Sequence, residues 1–255
     1  MAAWNIKVDD KRVPDQIPNF IIFCEDDVSE VLYLRAFQTP RIKINPIGKQ
    51  KSDFDNVTNA IEHCQKNGLM IVDAEHNEKL NTESAFVWCV YDRDIQRDVS
   101  RDKRLIAFDE SIQLAERKGF EVAWSNDSFE LWILLHFEEV DPTQETNATR
   151  EQYYDRLTHT FLARKSKNTN LLRVQAEPTF RYKTFLKTGK NFPSIVLKEI
   201  EGLTSTAIAR AERLEAHHNI PDRRPHQKAP CTRMHHLVNV LLKYGQANTL
   251  DSRQE

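Results

Sequence analysis

The run Ala85-Phe86-Val87-Trp88-Cys89-Val90-Tyr91 limits what this chain can fold into more than any other segment. It is continuously apolar, short, and rich in β-branched and aromatic residues. Such a run reads as a strand buried on both faces, the environment of a parallel sheet covered by helices. It passes directly into Asp92-Arg93-Asp94. Asn19-Phe20-Ile21-Ile22-Phe23-Cys24 repeats the pattern, bounded by Pro18 and by the acidic Glu25-Asp26-Asp27.

The segments between follow the same logic. Val28, Val31, Leu32 and Phe37 recur at helical spacing, with Asp26, Asp27 and Ser29 enriching the first turn. Arg41–Ile47 alternates as a second strand, and Gly48–Ser52 is a loop. Val57, Ala60, Ile61 and Cys64 predict a helix over Asp53–Asn67, stopped at Asn67-Gly68. Residues 69–83 read equally as helix or strand. Arg104–Lys118 is a helix ended by Gly119, and Phe120–Trp124 is a strand. Ser125-Asn126-Asp127-Ser128 is expected to cap a helix from Phe129 that is apolar nearly all round, hence buried. Strand and helix therefore alternate, which implies an α/β fold: a mostly parallel sheet flanked by helices. Ligands of such sheets bind beyond the carboxyl ends of the strands. Glu25 and Asp92 both fall there, so they can be neighbours although they are 67 positions apart.

The character changes after Asp141-Pro142. Helices are expected over 151–164, over 194–217, and from Thr232 as N-cap to about residue 243, with a basic polar stretch to Asn191 and a charged linker over Pro221–Pro230. Three parts result: an N-terminal arm (1–18), an α/β domain (19–140), and a mainly helical, basic C-terminal region (141–255) packed on it. Charge divides along the same line. Residues 1–140 carry 17 Lys+Arg against 26 Asp+Glu, and residues 141–255 carry 19 against 12. An acidic front suits a metal centre, and a basic back suits phosphates or an acidic partner.

Only 6 glycines in 255 residues argue against a glycine-rich nucleotide loop. Cys24, Cys64, Cys89 and Cys231 are dispersed without a CxxC pair, so buried thiols fit better than zinc ligands or disulfides. No stretch approaches a membrane span, and the first residues lack a signal-peptide core, so a cytoplasmic protein with no membrane association is expected.

Two carboxylates two residues apart, where a strand gives way to a loop, can face one ion. Hard Mg²⁺ (or Mn²⁺) takes such oxygens and shares its shell with substrate phosphate. Glu25, Asp92 and Asp94 are the candidate metal and catalytic carboxylates. Glu130, one residue into the apolar helix, is either a further ligand or a helix-start charge. Weaker substrate-binding candidates are Lys49 and Lys51 in the loop after the second strand, Lys183 and Lys187 in a basic–aromatic stretch that also holds Phe180, Tyr182 and Phe185, and His236 beside His235. His136, in the apolar helix, reads as a hydrogen-bonded core histidine.

Phe23-Cys24-Glu25-Asp26-Asp27-Val28-Ser29-Glu30 followed by Val90-Tyr91-Asp92-Arg93-Asp94 resembles the Toprim motif pair. Ser125-Asn126-Asp127-Ser128-Phe129-Glu130-Leu131-Trp132-Ile133-Leu134-Leu135-His136-Phe137 resembles the signature of RloB-type proteins, and Ala229–Val238 is similar to that family's closing helix start. Asp26 stands where a glycine is commoner. The resemblance implies a Toprim-like domain with Mg²⁺-dependent phosphodiester chemistry. It places Glu25, Asp92 and Asp94 as catalytic carboxylates, and Glu30 as a further metal ligand if the helix starts after Glu25. It also implies prokaryotic antiphage defence, a nuclease acting on RNA (tRNA included) or DNA, and control by an ATPase partner. The alternative is a non-catalytic module of the same fold that binds nucleic acid or the ATPase. Self-association is left open.

Overall fold

The computed structural model describes residues 17–51, 53–83, 85–93, 101–144 and 149–246, with only the backbone of 101–104. Its first half is β1 (Asn19–Cys24), α1 (Ser29–Arg35), β2 (Lys43–Ile47), α2 (Asp53–Lys66), β3 (Met70–Val72), β4 (Glu78–Leu80), β5 (Phe86–Asp92), α3 (Arg101–Arg117), β6 (Glu121–Asn126) and α4 (Glu130–Leu135). The second half is α5 (Arg150–Ala163), α6 (Thr169–Gln175), π-helical turns at Tyr182–Leu186 and Phe192–Val196, α7 (Leu197–Glu199), α8 (Thr204–His217), β7 (Cys231–Thr232) and α9 (Met234–Gly245).

The main sheet has the order β2-β1-β5-β6-β7. β2, β1, β5 and β6 run parallel, and β7 closes the edge antiparallel to β6. This is the mostly parallel α/β fold expected from the apolar runs. Side chains alternate across each strand, so every run feeds two cores. Phe20, Ile22, Cys24, Trp88 and Val90 face α1, α4 and the C-terminal helices. Ile21, Phe23, Val87, Cys89 and Tyr91 face α2 and α3. Pro46 sits in β2, at the sheet edge, where a missing backbone donor costs least. All four thiols are buried and free.

α4 is short, yet Leu131, Trp132, Ile133, Leu134 and Leu135 are all fully buried. Each such side chain contributes about 1.5–3 kcal/mol of apolar burial. His136 is a core histidine, with Nδ1 2.9 Å from the Trp132 carbonyl, and burial lowers its pKa to about 4.

One segment that the sequence leaves open is decided, and four local expectations are corrected. Residues 69–83 hold the β3–β4 hairpin. Ser125–Ser128 do not cap α4: β6 continues through Asn126, and no side chain caps the helix. The helix expected over 194–217 is broken at Glu201-Gly202, where Gly202 takes a φ of 79° that favours glycine. Pro221–Pro230 is not a detached linker. Its carbonyls at 225, 226 and 228 accept from Asn126 Nδ2, at 3.2, 3.3 and 2.7 Å. Thr232 lies in β7, although its hydroxyl still accepts from the Met234 N–H at 3.2 Å. No described helix is long and apolar enough to cross a membrane.

Candidate metal centre

Strand register decides the site. Cys24 pairs with Val90 and Asp92 with Ser125, so the chain leaves β1, β5 and β6 at one edge. Glu25 follows directly: its N–H donates to the Val90 carbonyl at 3.0 Å, and its Oε2 accepts from the Asp92 N–H at 2.9 Å. The two candidates are thus tied together by the backbone of one and the side chain of the other. Gly48, in the loop after β2, comes so close that a Cβ there would lie 2.9 Å from Asp27 Cα. Only glycine admits that approach of the loop to the Glu25–Asp27 turn.

α1 starts after Glu25, which brings Glu30 inward. Asp26 accepts from the Val28 and Ser29 N–H groups and from Ser29 Oγ, ordering the turn before the helix. Glu30 is 1 % exposed, and its Oε2 accepts from the Asp26 N–H at 3.1 Å. Glu130 arrives from α4 and is fully buried. Lys187, at the end of the first π-helical turn, bridges Asp26 Oδ2 and Glu130 Oε1, each at 2.9 Å. Arg150, opening α5, places Nη2 3.1 Å from Asp92 Oδ2. Its backbone N–H donates to Asp127 Oδ2 at 3.1 Å. The capping box of Thr149 and Gln152 fixes this helix start.

Electrostatics mark the cluster as short of positive charge. Burial pushes the Glu30 carboxyl well up, and Asp92, Asp26 and Glu25 add repulsion. Burial and Glu25 likewise push Asp92 well up, and Arg150 only partly offsets them. Burial also opposes ionisation of Asp26, but Lys187 and Ser29 outweigh it and hold its carboxyl below the usual range. Burial disfavours the Lys187 ammonium, yet Glu130 and Asp26 keep its pKa above the ordinary lysine value. Glu130 Oε2 is buried with no hydrogen-bond partner among the described residues. Hard oxygen donors, an orphaned carboxylate oxygen and mutually repelling acids fit a hard divalent cation.

Not every candidate converges. Asp94 lies outside the described residues. Among the described residues, no three of these carboxylates bring ligand oxygens within 4.8 Å of one another. Lys49 and Lys51 stand at this edge but are exposed, paired with Asp27 and Asp55 at 3.0 Å. Lys183 lies over the Tyr154 ring, 5.0 Å from its centroid, and 3.4 Å from Glu151. Phe180 and Tyr182 are core residues, so the basic–aromatic stretch offers no stacking platform through them. His236 faces Glu215 at 2.7 Å. Asp26, Asp127 and Arg150 were not singled out by sequence reasoning. Asp26 carried a signal, as an acid within the motif, whereas Arg150 carried none.

The fold and this cluster define an α/β protein with a group of acidic residues at the carboxyl edge of a parallel sheet. The family model described as RloB-like protein matches residues 20–241, and the chain belongs to the RloB-like family. No curated protein and no solved structure matches the chain.

Proposed function

We propose that the chain is a Mg²⁺-dependent Toprim-type nuclease effector of a prokaryotic antiphage defence system, controlled by a partner ATPase and cleaving RNA (tRNA included) or DNA. The observation that carries this reading is the excess of acid at the sheet edge. The carboxylates of Glu25, Asp26, Glu30, Asp92 and Glu130 crowd one edge, where Glu30 is repelled by Asp92, Asp26 and Glu25, Asp92 is repelled by Glu25 and Glu130, and Lys187 and Arg150 pair with Asp26, Glu130 and Asp92. Burying that many acids is costly unless a cation joins them. A cytoplasmic location accords with the free thiols.

Asp92 and Asp94, with Glu30 or Glu130, would hold one or two ions, Mn²⁺ being a substitute, and Glu25 would be a further ligand or the general base. The ion supplies a lowered pKa for water and screens charge on a phosphodiester. Glu25, held by the Asp92 N–H and half-buried, takes the proton from the attacking water or hydroxyl. Arg150 pairs with Asp92 and meets an incoming phosphate oxygen. Lys187 bridges Asp26 and Glu130 and holds the Asp26 carboxyl below the usual carboxylate range.

The test compares wild-type chain with Glu25→Ala and Asp92→Ala, co-expressed with the neighbouring ATPase. Cleaved RNA and DNA ends are sequenced. Each substitution is expected to lower cleavage at least ~100-fold, the low end of a lost acid–base group. Full cleavage or toxicity in both variants sinks the reading. The pairing of Asp92 with Arg150 favours the second reading, a non-catalytic module for nucleic acid or the ATPase. That reading predicts no Mg²⁺ or Mn²⁺ binding by calorimetry.

A further inference from the structure

A second cluster lies apart from the acidic edge, where the last turns of α8 meet the start of α9. Glu215 Oε2 is 2.9 Å from His235 Nε2 and 2.7 Å from His236 Nε2. Among the described residues, this is the one group of three or more His, Cys, Asp or Glu whose ligand atoms lie within 4.8 Å of one another. His235 is 2 % exposed, and its other nitrogen, Nδ1, is 3.1 Å from the Thr232 carbonyl. A carbonyl only accepts, so Nδ1 carries the hydrogen. A neutral His235 therefore points the bare lone pair of Nε2 at a carboxylate oxygen. Two acceptors at that distance repel unless something positive lies between them. The two rings lie with centroids 4.2 Å apart beside Arg233, whose Nε is 3.5 Å from Glu215 Oε1. One divalent ion resolves the same geometry with both rings neutral. The carbonyl that fixes the tautomer is the support that metal-ligating histidines ordinarily have.

We propose that His235, His236 and Glu215 form a binding site for a divalent transition-metal ion of the Zn²⁺ class, separate from the hard-cation site at the sheet edge. Two imidazoles and one carboxylate suit Zn²⁺, leaving a fourth position for water. Mg²⁺ does not favour this donor set. A cleft lined by Asp109, Glu116, Trp124, Lys228 and Arg233 reaches Glu215 and gives the ion a way in. The ion would close the base of the excursion between α8 and α9. That excursion carries the carbonyls that hold Asn126, and its His226 carbonyl accepts from Arg93 Nη1 at 2.6 Å. The metal is thus a pin that fixes the segment bracing the end of β5 and β6.

Calorimetric titration of the full chain with Zn²⁺, with Co²⁺ absorption as a second measurement, tests this. One Zn²⁺ per chain is expected, together with visible Co²⁺ bands of a nitrogen–oxygen site. The primary variant is His236→Ala, because that ring is 38 % exposed and its loss spares the core. His236→Ala and Glu215→Gln should each weaken Zn²⁺ at least ~100-fold, the upper end for losing a mere orienting partner. Asp92→Asn should leave Zn²⁺ binding unchanged. Binding equally tight in His236→Ala overturns the site. So does a wild-type chain that takes up no Zn²⁺ and gives no Co²⁺ bands, leaving an imidazolium–carboxylate contact only.

Discussion

Glu199 and Glu130 are both buried, and they differ in what surrounds them. Both oxygens of Glu199 are satisfied: Arg164 Nε donates to Oε2 and Ser166 Oγ to Oε1 at 2.5 Å. Arg164 Nη2 also reaches the Glu199 backbone carbonyl at 2.9 Å. Glu130 has Lys187 on one oxygen and, among the described residues, no hydrogen-bond partner on the other, and Glu30 close by is crowded by acids. The first arrangement is self-sufficient and joins α5, α7 and the segment between them. The second leaves Glu130 Oε2 without a hydrogen-bond partner among the described residues. Under-compensated buried acids of this kind cluster at functional sites, and the proposed cation would act here.

Breaking the self-sufficient pair should have the largest effect on stability. Arg164→Ala leaves Glu199 with a single side-chain donor and should cost about 3 kcal/mol in urea unfolding, as for a buried pair that loses one partner. Mg²⁺ should not restore it.

Lys187→Met attacks the other region and should behave differently. Without added metal it should cost about 2 kcal/mol, since Asp26 and Glu130 both lose a charged donor. Mg²⁺ should recover most of that loss, because the ion takes over the missing positive charge. A thermal-melt series with and without Mg²⁺ checks this, and equal losses under both conditions would contradict it.

Glu30→Gln reverses the sign. It removes a repelled charge but keeps an oxygen for the Asp26 N–H. It should raise stability by about 1 kcal/mol while weakening Mg²⁺ binding, a trade expected of a strained functional acid. Calorimetry and unfolding on the same variant measure both sides.

The pH dependence separates the regions as well. Glu30 and Asp92 have folded pKa values above their unfolded ones. The folded state therefore holds their protons more tightly, and their contribution is full below the unfolded pKa. It is lost as pH rises through the raised values. Asp26, held low, acts in the opposite sense and loses its contribution as pH falls through its folded pKa. The metal-free chain should lose stability as pH rises above the usual carboxylate range, and Mg²⁺ should flatten that loss. The smallest effect belongs to the surface. Lys51→Ala breaks an exposed pair with Asp55 and should leave the melting temperature unchanged.

Much of the acidic edge was legible because β-strands impose it. A run apolar on both faces has to be a covered strand, and a charge just after its end has to leave the sheet at the carboxyl side. Glu25 and Asp92 follow from that alone, and so does the burial of α4. Their electrostatic partners do not follow. Lys187 stood out only as a basic residue in a basic stretch, and the π-helical turn that carries it into the acids has no sequence period of its own. Arg150 depends on where a capping box aims α5. The metal-like triad was also hidden, because His235 and His236 lie 20 and 21 positions from Glu215, and only the packing of α8 against α9 joins them.

The sequence by itself determined the alternation of strand and helix, the two-sided core, and the acids that end β1 and β5. These depend on periodicity and on the cost of burying charge, which act residue by residue. Tertiary structure decided which cations meet those acids, that the Pro221–Pro230 segment braces Asn126, and that β7 closes the sheet. Those depend on distances between side chains remote in the chain, and a local pattern does not encode them.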